Sequence, residues 1–522
     1  MKYMKNMKSY SKIGVRVMLV SCLAMAISCT SDFESVNTNK NNVATIGPTE
    51  LPFLFSKALS VATNVAGNYQ LSQSLHSDQY VQYFACISTG FGSDRLVPNP
   101  GWYGAAFSPM YSDVLPQLQT IFTQTEETSA EYQLANIWWV YTFHRVTDYF
   151  GPIPYFKAGQ SGLSVDYDAQ NLIYDDFFKR LTAAVDVLKS QTGAKPYGEF
   201  DTVYKGNVSK WIRFANTLRL RLAMRISKVD PARAKTEAEA AVAAGVMAAS
   251  PGDDALVERS IKGGDNNGLS IMQWGEFRMS STMESVLKGY NDPRMEEYYM
   301  PAAATGLYDG VRNGLTTAKM ADAKNKAENT SQQGPRWSTG DYLAAPQNIM
   351  CTAEAYFLRA EGVLKDWNMG GGSAKDYYEE GIRQSFAQWG VGSATAYIAD
   401  GASHPIAPND SEGSLPVSDL RIAFHASDES IQAEQIATQK WIALFPESME
   451  AWADYRRNPI VKLYPAVKSE NPLITDPATQ HIRRIPFLVS ELATNKPGTD
   501  MGTTLLGGDD NTQTPLWWDK NP

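Results

Sequence analysis

The chain has 522 residues, 43% of them hydrophobic and 20% charged, a composition typical of a folded globular protein. Its 47 basic and 56 acidic side chains give a net charge of −9, and no Lys/Arg block beyond the N-terminus offers a surface for a phosphate backbone. Nucleic acid is therefore excluded as an expected partner. The length indicates either several domains or one large helical array.

The N-terminus, residues 1–28, has the features of a secretion signal. A basic start precedes an apolar run at 17–28, which is shorter than the roughly 20 residues that a membrane-spanning helix needs. Small residues before Cys29 resemble the lipobox at which bacterial lipoproteins are cleaved and acylated, so Cys29 is predicted to carry the lipid. Cys22 is the alternative, but it would leave an apolar run below the usual signal-peptide length.

The segment after the lipid cysteine, 29–48, is polar and Asn-rich and is predicted to be a flexible tether before a single domain at 49–522. Its acidic stretch at 30–34 resembles the signal that sends Bacteroidetes lipoproteins to the cell surface. Only Cys86 and Cys351 remain in the body, too few for a disulfide framework. Both are expected to be buried as small hydrophobic residues.

Helical spacing of apolar residues dominates the body of the chain. In 206–227, for example, Trp211, Phe214 and Leu218 recur every three or four positions and share one face of a helix. The pattern predicts four helix pairs: 129–147 with 173–189, 206–227 with 231–244, 350–366 with 373–388, and 430–445 with 448–457. Since one pair cannot bury both its faces, stacked pairs are needed, and we expect a mainly α scaffold of tetratricopeptide-like repeats.

Three stretches lack a sustained period: 250–347, 392–429 and 458–515. They are rich in Gly, Asn and Asp with isolated aromatic residues, and contain short β-like pieces such as 482–489. Long irregular segments in a compact protein are usually functional loops. We therefore expect an irregular, loop-rich lobe with a few short strands.

Five regions of the chain, in order, resemble the SusD/RagB family of nutrient-binding outer-membrane lipoproteins. They are DFESVNTN at 32–39, RVTDYFGPIPY at 145–155, YKGN at 204–207 leading into WIRFANTLRLR at 211–221, AEAYFLRAE at 353–361, and TPLWW at 514–518. Together they extend from one end of the chain to the other, which makes the resemblance far more specific than any single motif.

The resemblance implies a surface lipoprotein that captures an oligosaccharide and delivers it to a SusC-like TonB-dependent transporter in the outer membrane. It also implies that the helical side faces the transporter and that the ligand binds in loops of the irregular lobe. Within the motifs, Arg145, Asp148 and Arg213 are then structural residues. A peptide ligand, as in the RagB branch, remains the alternative.

Aromatic residues in loops are the candidates for ligand contact, because a sugar ring stacks its apolar face on flat side chains while polar neighbours bind its hydroxyls. The first group, in the loop at 92–106, comprises Trp102, Tyr103, Asp94, Arg95 and Asn99. The second, in 250–347, comprises Trp274 with Phe277 beside it, Tyr308 and Trp337. Packing of each ring over a helix end or in the core is the competing interpretation. Tryptophans on helical stripes are expected in the core: Trp138, Trp139, Trp211, Trp441 and Trp452.

Catalytic signals are weak. The five histidines are scattered without a metal-ligand spacing, and no phosphate-binding loop or nucleophile motif is present. Acidic loops at 252–254 and 507–511 are more typical of solvated turns than of a Ca²⁺ site. We expect no enzyme activity, metal or cofactor. An all-helical glycoside hydrolase is the least favoured alternative, since it requires two carboxylates across a cleft.

Overall fold

The computed structural model describes residues 47–160, 162, 164–262 and 264–521. The predicted signal peptide, Cys29 and the tether up to residue 46 lie outside the described residues. The chain divides into two compact units, 1–51 and 52–522. The described part of the first unit, 47–51, contains a turn in which the Gly47 N–H donates to the Glu50 carboxylate at 2.8 Å.

The second unit is mainly α-helical. The α-helices of nine residues or more in the described ranges are α1 (Leu51–Ala62), α2 (Leu115–Gln124), α3 (Ala130–Phe150), α4 (Gln170–Leu188), α5 (Val208–Arg225), α6 (Pro231–Ala244), α7 (Ser281–Gly289), α8 (Thr352–Val363), α9 (Ala374–Trp389), α10 (Glu429–Leu444), α11 (Ser448–Arg457) and α12 (Lys496–Leu506). Shorter helical segments include the π-helical Gln70–Ser77, Asp78–Tyr80, the 3₁₀-helical Gly268–Trp274 and Pro335–Trp337, and Val489–Thr494.

In the part of the chain that the structure describes, short strands form three two-stranded antiparallel sheets. They are β1 (Phe84–Cys86) with β3 (Phe277–Met279), β2 (Ala255–Val257) with β6 (Gln347–Met350), and β4 (Tyr299–Met300) with β5 (Gln332–Gln333). In the first sheet Cys86 lies opposite Phe277. β1 lies before α4, β2 to β5 lie in the predicted irregular stretch 250–347, and β6 begins at the last residue of that stretch.

The predicted helix pairs are present: α3 packs on α4, α5 on α6, α8 on α9, and α10 is followed by α11 while also lying against α8. Local signals fix their ends. The Ser129 hydroxyl accepts from the Tyr132 N–H at 3.2 Å to start α3, and Gly151, at φ 89°, ends it. The prediction of a tetratricopeptide-like helical scaffold with few strands is confirmed.

Close helix crossings depend on small residues. A Cβ on Gly381 in α9 would lie 2.7 Å from the ring of Phe357 in α8, which only glycine avoids. The tryptophans predicted on helical stripes are all buried: Trp138, Trp139, Trp211, Trp441 and Trp452. Both body cysteines are also buried, as expected.

Ion pairs cross the buried helical interior. Arg221 on α5 forms a two-point pair with Glu354 on α8, at 2.6 and 2.7 Å. Asp148 at the end of α3 accepts from the Tyr174 hydroxyl at 2.6 Å and from the Trp518 indole N–H at 2.9 Å. The family-like motifs therefore meet inside the fold, where they join distant helices to the C-terminal segment.

The β-like interpretation of 482–489 is wrong. Pro486 interrupts the stretch. The Arg483 N–H donates to the Thr512 carbonyl in a loop, and the Ile485 N–H donates to the Tyr149 carbonyl in α3, both at 2.9 Å. The buried apolar residues of this segment pack against the body without a partner strand in the described structure. Across the described ranges, no helix has the length and apolar character needed to cross a bilayer.

Candidate functional site

The loop at 91–106 places Trp102 beside a second aromatic segment. The ring of Phe91 meets Trp102 edge-on, with centroids 5.3 Å apart, and stacks on Phe277 in β3 at 6.1 Å and 8°. Trp102 is partly exposed, and its backbone N–H donates to the Asn99 carbonyl at 3.0 Å. The loop therefore contacts Phe277, which lies three residues after Trp274 in the chain.

Trp274 ends the 3₁₀ segment Gly268–Trp274 and is 65% exposed. Gly275 follows it in a left-handed conformation, φ 80°, which turns the chain into β3. An exposed indole at this turn is available to stack on the flat face of a ligand. We call Phe91 and Trp102, together with the exposed Trp274 on the segment that Phe91 contacts through Phe277, the aromatic surface.

Polar groups lie next to this surface. The Gln70 amide donates to the Glu276 carboxylate at 2.7 Å, and the Ile87 N–H donates to the Glu276 carbonyl at 2.9 Å. Burial raises the pKa of Glu276. The Asn99 side chain accepts from the Gly101 N–H at 2.8 Å. The Glu276 carboxylate and the Asn99 amide therefore lie in the segments that carry the three rings, whereas the Gln70 amide reaches Glu276 from the π-helical segment Gln70–Ser77. Carboxylate and amide groups of this kind can pair with hydroxyl groups.

Tyr103, Asp94 and Arg95 are buried, and each makes a polar contact inside the fold. The Tyr103 hydroxyl donates to the Phe487 carbonyl at 3.3 Å, and burial raises its pKa to about 12. Burial likewise raises the pKa of Asp94 to about 6, although it accepts from the Gly314 N–H at 2.8 Å.

Arg95 pairs with the Glu470 carboxylate at 2.9 Å. These contacts fix the loop to distant segments and thereby hold Trp102 in place. A direct ligand contact by Tyr103, Asp94 or Arg95 stays a prediction.

Among the described residues, neither Tyr308 nor Trp337 makes a ring contact with Trp102. Tyr308 is half-buried after β4, and burial raises its pKa. Trp337 is buried, with its ring 5.9 Å from that of Trp389 and 5.8 Å from that of Phe445. Trp337 lines a cavity of about 500 Å³, which also has Trp389 in its wall.

Comparisons with known proteins identify the family of this chain. The SusD-like family model, described as SusD and RagB outer-membrane lipoproteins, matches residues 34–519. The chain belongs to the SusD/RagB family. A comparison with curated proteins found no match.

Solved structures similar to this SusD-like chain include a chitin-binding SusD homologue from Flavobacterium johnsoniae. It is 37% identical, with a TM-score of 0.83, and the match covers 91% of this chain and 99% of that one. A SusD homologue from Bacteroides uniformis is 32% identical, with a TM-score of 0.83 and coverage of 90% and 99%. One from Bacteroides vulgatus is 31% identical, with a TM-score of 0.80 and coverage of 91% and 98%.

Sequence reasoning missed three residues at or beside the aromatic surface of this SusD-like protein: Phe91, Gln70 and Glu276. Phe91 adjoins the predicted loop, and its aromatic character next to Gly92 was an available signal. Gln70 and Glu276 are 206 positions apart, so their pairing had no local signal. The described residues contain no group of three or more His, Cys, Asp or Glu side chains suited to a metal ion.

Proposed function

We propose that this chain is a cell-surface glycan-binding lipoprotein that captures an oligosaccharide and delivers it to a SusC-like TonB-dependent transporter. The observation that carries the proposal is the aromatic surface: Trp102 is packed against Phe91, Trp274 is 65% exposed, and both have polar neighbours. Flat rings with adjacent amides and a carboxylate match the two faces of a sugar.

The class of sugar is proposed from the same surface and from the relatives. A homologue described as chitin-binding is 37% identical over nearly the whole chain. Chitin oligosaccharides are neutral and rigid, and the apolar faces of their pyranose rings suit successive stacking on separated indoles. We therefore choose them as the first ligands to test.

Isothermal titration with chitin oligosaccharides tests the surface. We expect the Trp102→Ala and Trp274→Ala variants each to bind about tenfold more weakly, a loss of about 1.4 kcal/mol, because each removes one stacking ring. Phe156→Ala is the matched control, since Phe156 is an aromatic residue 48% exposed outside the aromatic surface. Equal binding by the wild type and both tryptophan variants would remove the surface from the site.

The nature of the ligand needs its own measurement, because a peptide is the alternative within this family. Mass spectrometry of material that co-purifies with the protein from its native membrane separates the two classes. We expect oligosaccharide masses. Peptides alone would contradict the proposal, and release of reducing sugar by the purified protein would indicate catalysis instead.

The anchor is proposed at Cys29, on sequence grounds. Metabolic labelling with a radioactive fatty acid should mark the wild type and the Cys22→Ala variant equally, while Cys29→Ala should carry no label. A label that depends on Cys22 would shift the anchor to that residue. Co-purification of a large TonB-dependent barrel with the lipidated protein tests the proposed partner, and its absence from solubilised native membranes would count against delivery to it.

A further inference from the structure

The cavity lined by Trp337 lies in the irregular lobe. Its volume of about 500 Å³ falls within the range of about 300–1,000 Å³ typical of small-ligand sites. Its walls come from β6, from the segment Pro335–Trp337 and from the end of α9. The indoles of Trp337 and Trp389 contribute the aromatic part of a wall that also contains aliphatic side chains such as Leu256 and Leu269.

The orientation of Trp389 is held by a cation. The Arg336 guanidinium lies 4.5 Å from the centroid of the Trp389 ring, and it pairs with the Glu297 carboxylate at 3.6 Å. Such a stacked arginine is favourable for an indole and restricts its rotation. The cavity therefore has a preformed flat wall.

Several polar atoms in the same wall have no hydrogen-bond partner among the residues that the structure describes. Asn348 on β6 is only 7% exposed, yet among the described residues neither its amide nitrogen nor its oxygen has a hydrogen-bond partner. The same holds for the Gln388 side-chain oxygen and the Trp389 indole nitrogen. Buried polar groups are usually paired, and an unpaired one costs stability, so three such side chains around one cavity indicate a ligand.

The chemistry of these atoms selects the ligand. Two donors, the Asn348 and Trp389 nitrogens, stand with two acceptors, the Asn348 and Gln388 oxygens, in a wall that also contains two indoles. An acetamido group has one N–H, one C=O and one methyl group. Because a secondary amide is trans, its N–H and C=O point in opposite directions and need partners from two residues. Asn348 and Gln388 come from two different elements and meet that requirement.

We propose that this cavity is a second sugar subsite, which binds an N-acetylated sugar unit through its acetamido group. This inference rests on the proposed function. Asn348 donates to the acetamido carbonyl, Gln388 accepts from the acetamido N–H, and the methyl group lies on the indole of Trp337 or Trp389. A peptide is disfavoured because the recognition atoms are side chains around a confined space, whereas peptide recognition generally uses a sheet edge or an extended groove.

The test uses the full mature chain with Trp102→Ala and Trp274→Ala combined, so that the aromatic surface no longer binds. Isothermal titration with N,N′-diacetylchitobiose should still show one site. Adding Asn348→Leu or Gln388→Leu should weaken that residual binding about tenfold, because each removes a hydrogen bond to the ligand. Gln160→Leu is the control, because it replaces an exposed amide outside the aromatic surface and outside the Trp337 cavity. It should leave the residual binding unchanged.

Asn348→Leu should also leave thermal unfolding unchanged or raise its midpoint, because it removes unpaired buried atoms without a partner in the fold. If that variant fails to fold, Gln388→Leu decides the question, since Gln388 is partly exposed at the end of α9. Residual binding that both leucine variants retain would overturn the inference, as would loss of all binding in the combined tryptophan variant.

The ligand panel separates this inference from the proposed function. Cellobiose has the same linkage without acetamido groups, and we expect it to show no residual binding. Equal residual binding of cellobiose and diacetylchitobiose would refute recognition of the acetamido group. Absence of glycan binding by the wild type would instead refute the proposed function itself.

Discussion

Asp78 should make this protein less stable as the pH rises toward neutrality. It is fully buried just after the π-helical segment Gln70–Ser77, and neither of its carboxylate oxygens has a hydrogen-bond partner among the described residues. Burial raises its pKa from 3.8 to about 7. The folded state therefore holds a proton that the unfolded state releases near pH 4.

The magnitude follows from this shift. About three pKa units at about 1.4 kcal/mol each give roughly 4 kcal/mol. This contribution is fully present below the unfolded pKa, and it is lost as the pH rises from about 4 through about 7. Asp78→Asn resembles the protonated carboxyl in shape and stays neutral, so its unfolding free energy should equal that of the wild type near pH 4 and exceed it by up to about 4 kcal/mol at pH 8.

Urea unfolding followed by tryptophan fluorescence at pH 4, 6, 7 and 8 measures this difference. Glu126→Gln, which neutralises an exposed carboxylate, is the control and should follow the wild-type curve. A difference between Asp78→Asn and the wild type that does not change with pH, or a variant less stable than the wild type at pH 8, would refute the reasoning.

Two other changes test packing and charge. In Gly268→Ala the new Cβ would lie 2.3 Å from the Tyr69 ring. We therefore expect the free energy of unfolding in urea to fall by about 1–3 kcal/mol and glycan binding in titrations to weaken. Unchanged stability and binding would contradict this packing. Arg221→Met leaves Glu354 buried without its partner and should lower the free energy of unfolding by about 3–5 kcal/mol. Replacing both Arg221 and Glu354 by Met should restore much of this loss of stability. Equal losses in the single and double variants, measured by the same unfolding assay, would contradict that account.

The helices could be predicted because their signals are local. Apolar spacing gave α6 at 231–244 and α11 at 448–457 with the observed bounds, whereas α3, predicted at 129–147, runs from Ala130 to Phe150, the residue before Gly151. The strands could not be predicted, since β1 and β3 pair across nearly 200 positions and each has only three residues. Because the pairing partners are far apart in sequence, neither strand shows a periodic residue pattern that would predict it.

The candidate site was predicted in part for the same reason. The sequence indicated the loop that carries Trp102 and the segment that carries Trp274. It could not indicate that Asp94 is buried, because its partners Asn313 and Gly314 lie about 220 positions away. The cavity residue Asn348 was missed because a polar residue in a short strand has no pattern that distinguishes a ligand contact from a surface position.

A crystal structure of the protein with chitotetraose tests the central claim most directly. The account predicts electron density for a sugar ring stacked on the indole of Trp102 or Trp274, with hydroxyl groups near Gln70 or Glu276. A well-ordered sugar bound away from both indoles and from the Trp337 cavity, or no sugar at saturating concentration, would contradict it.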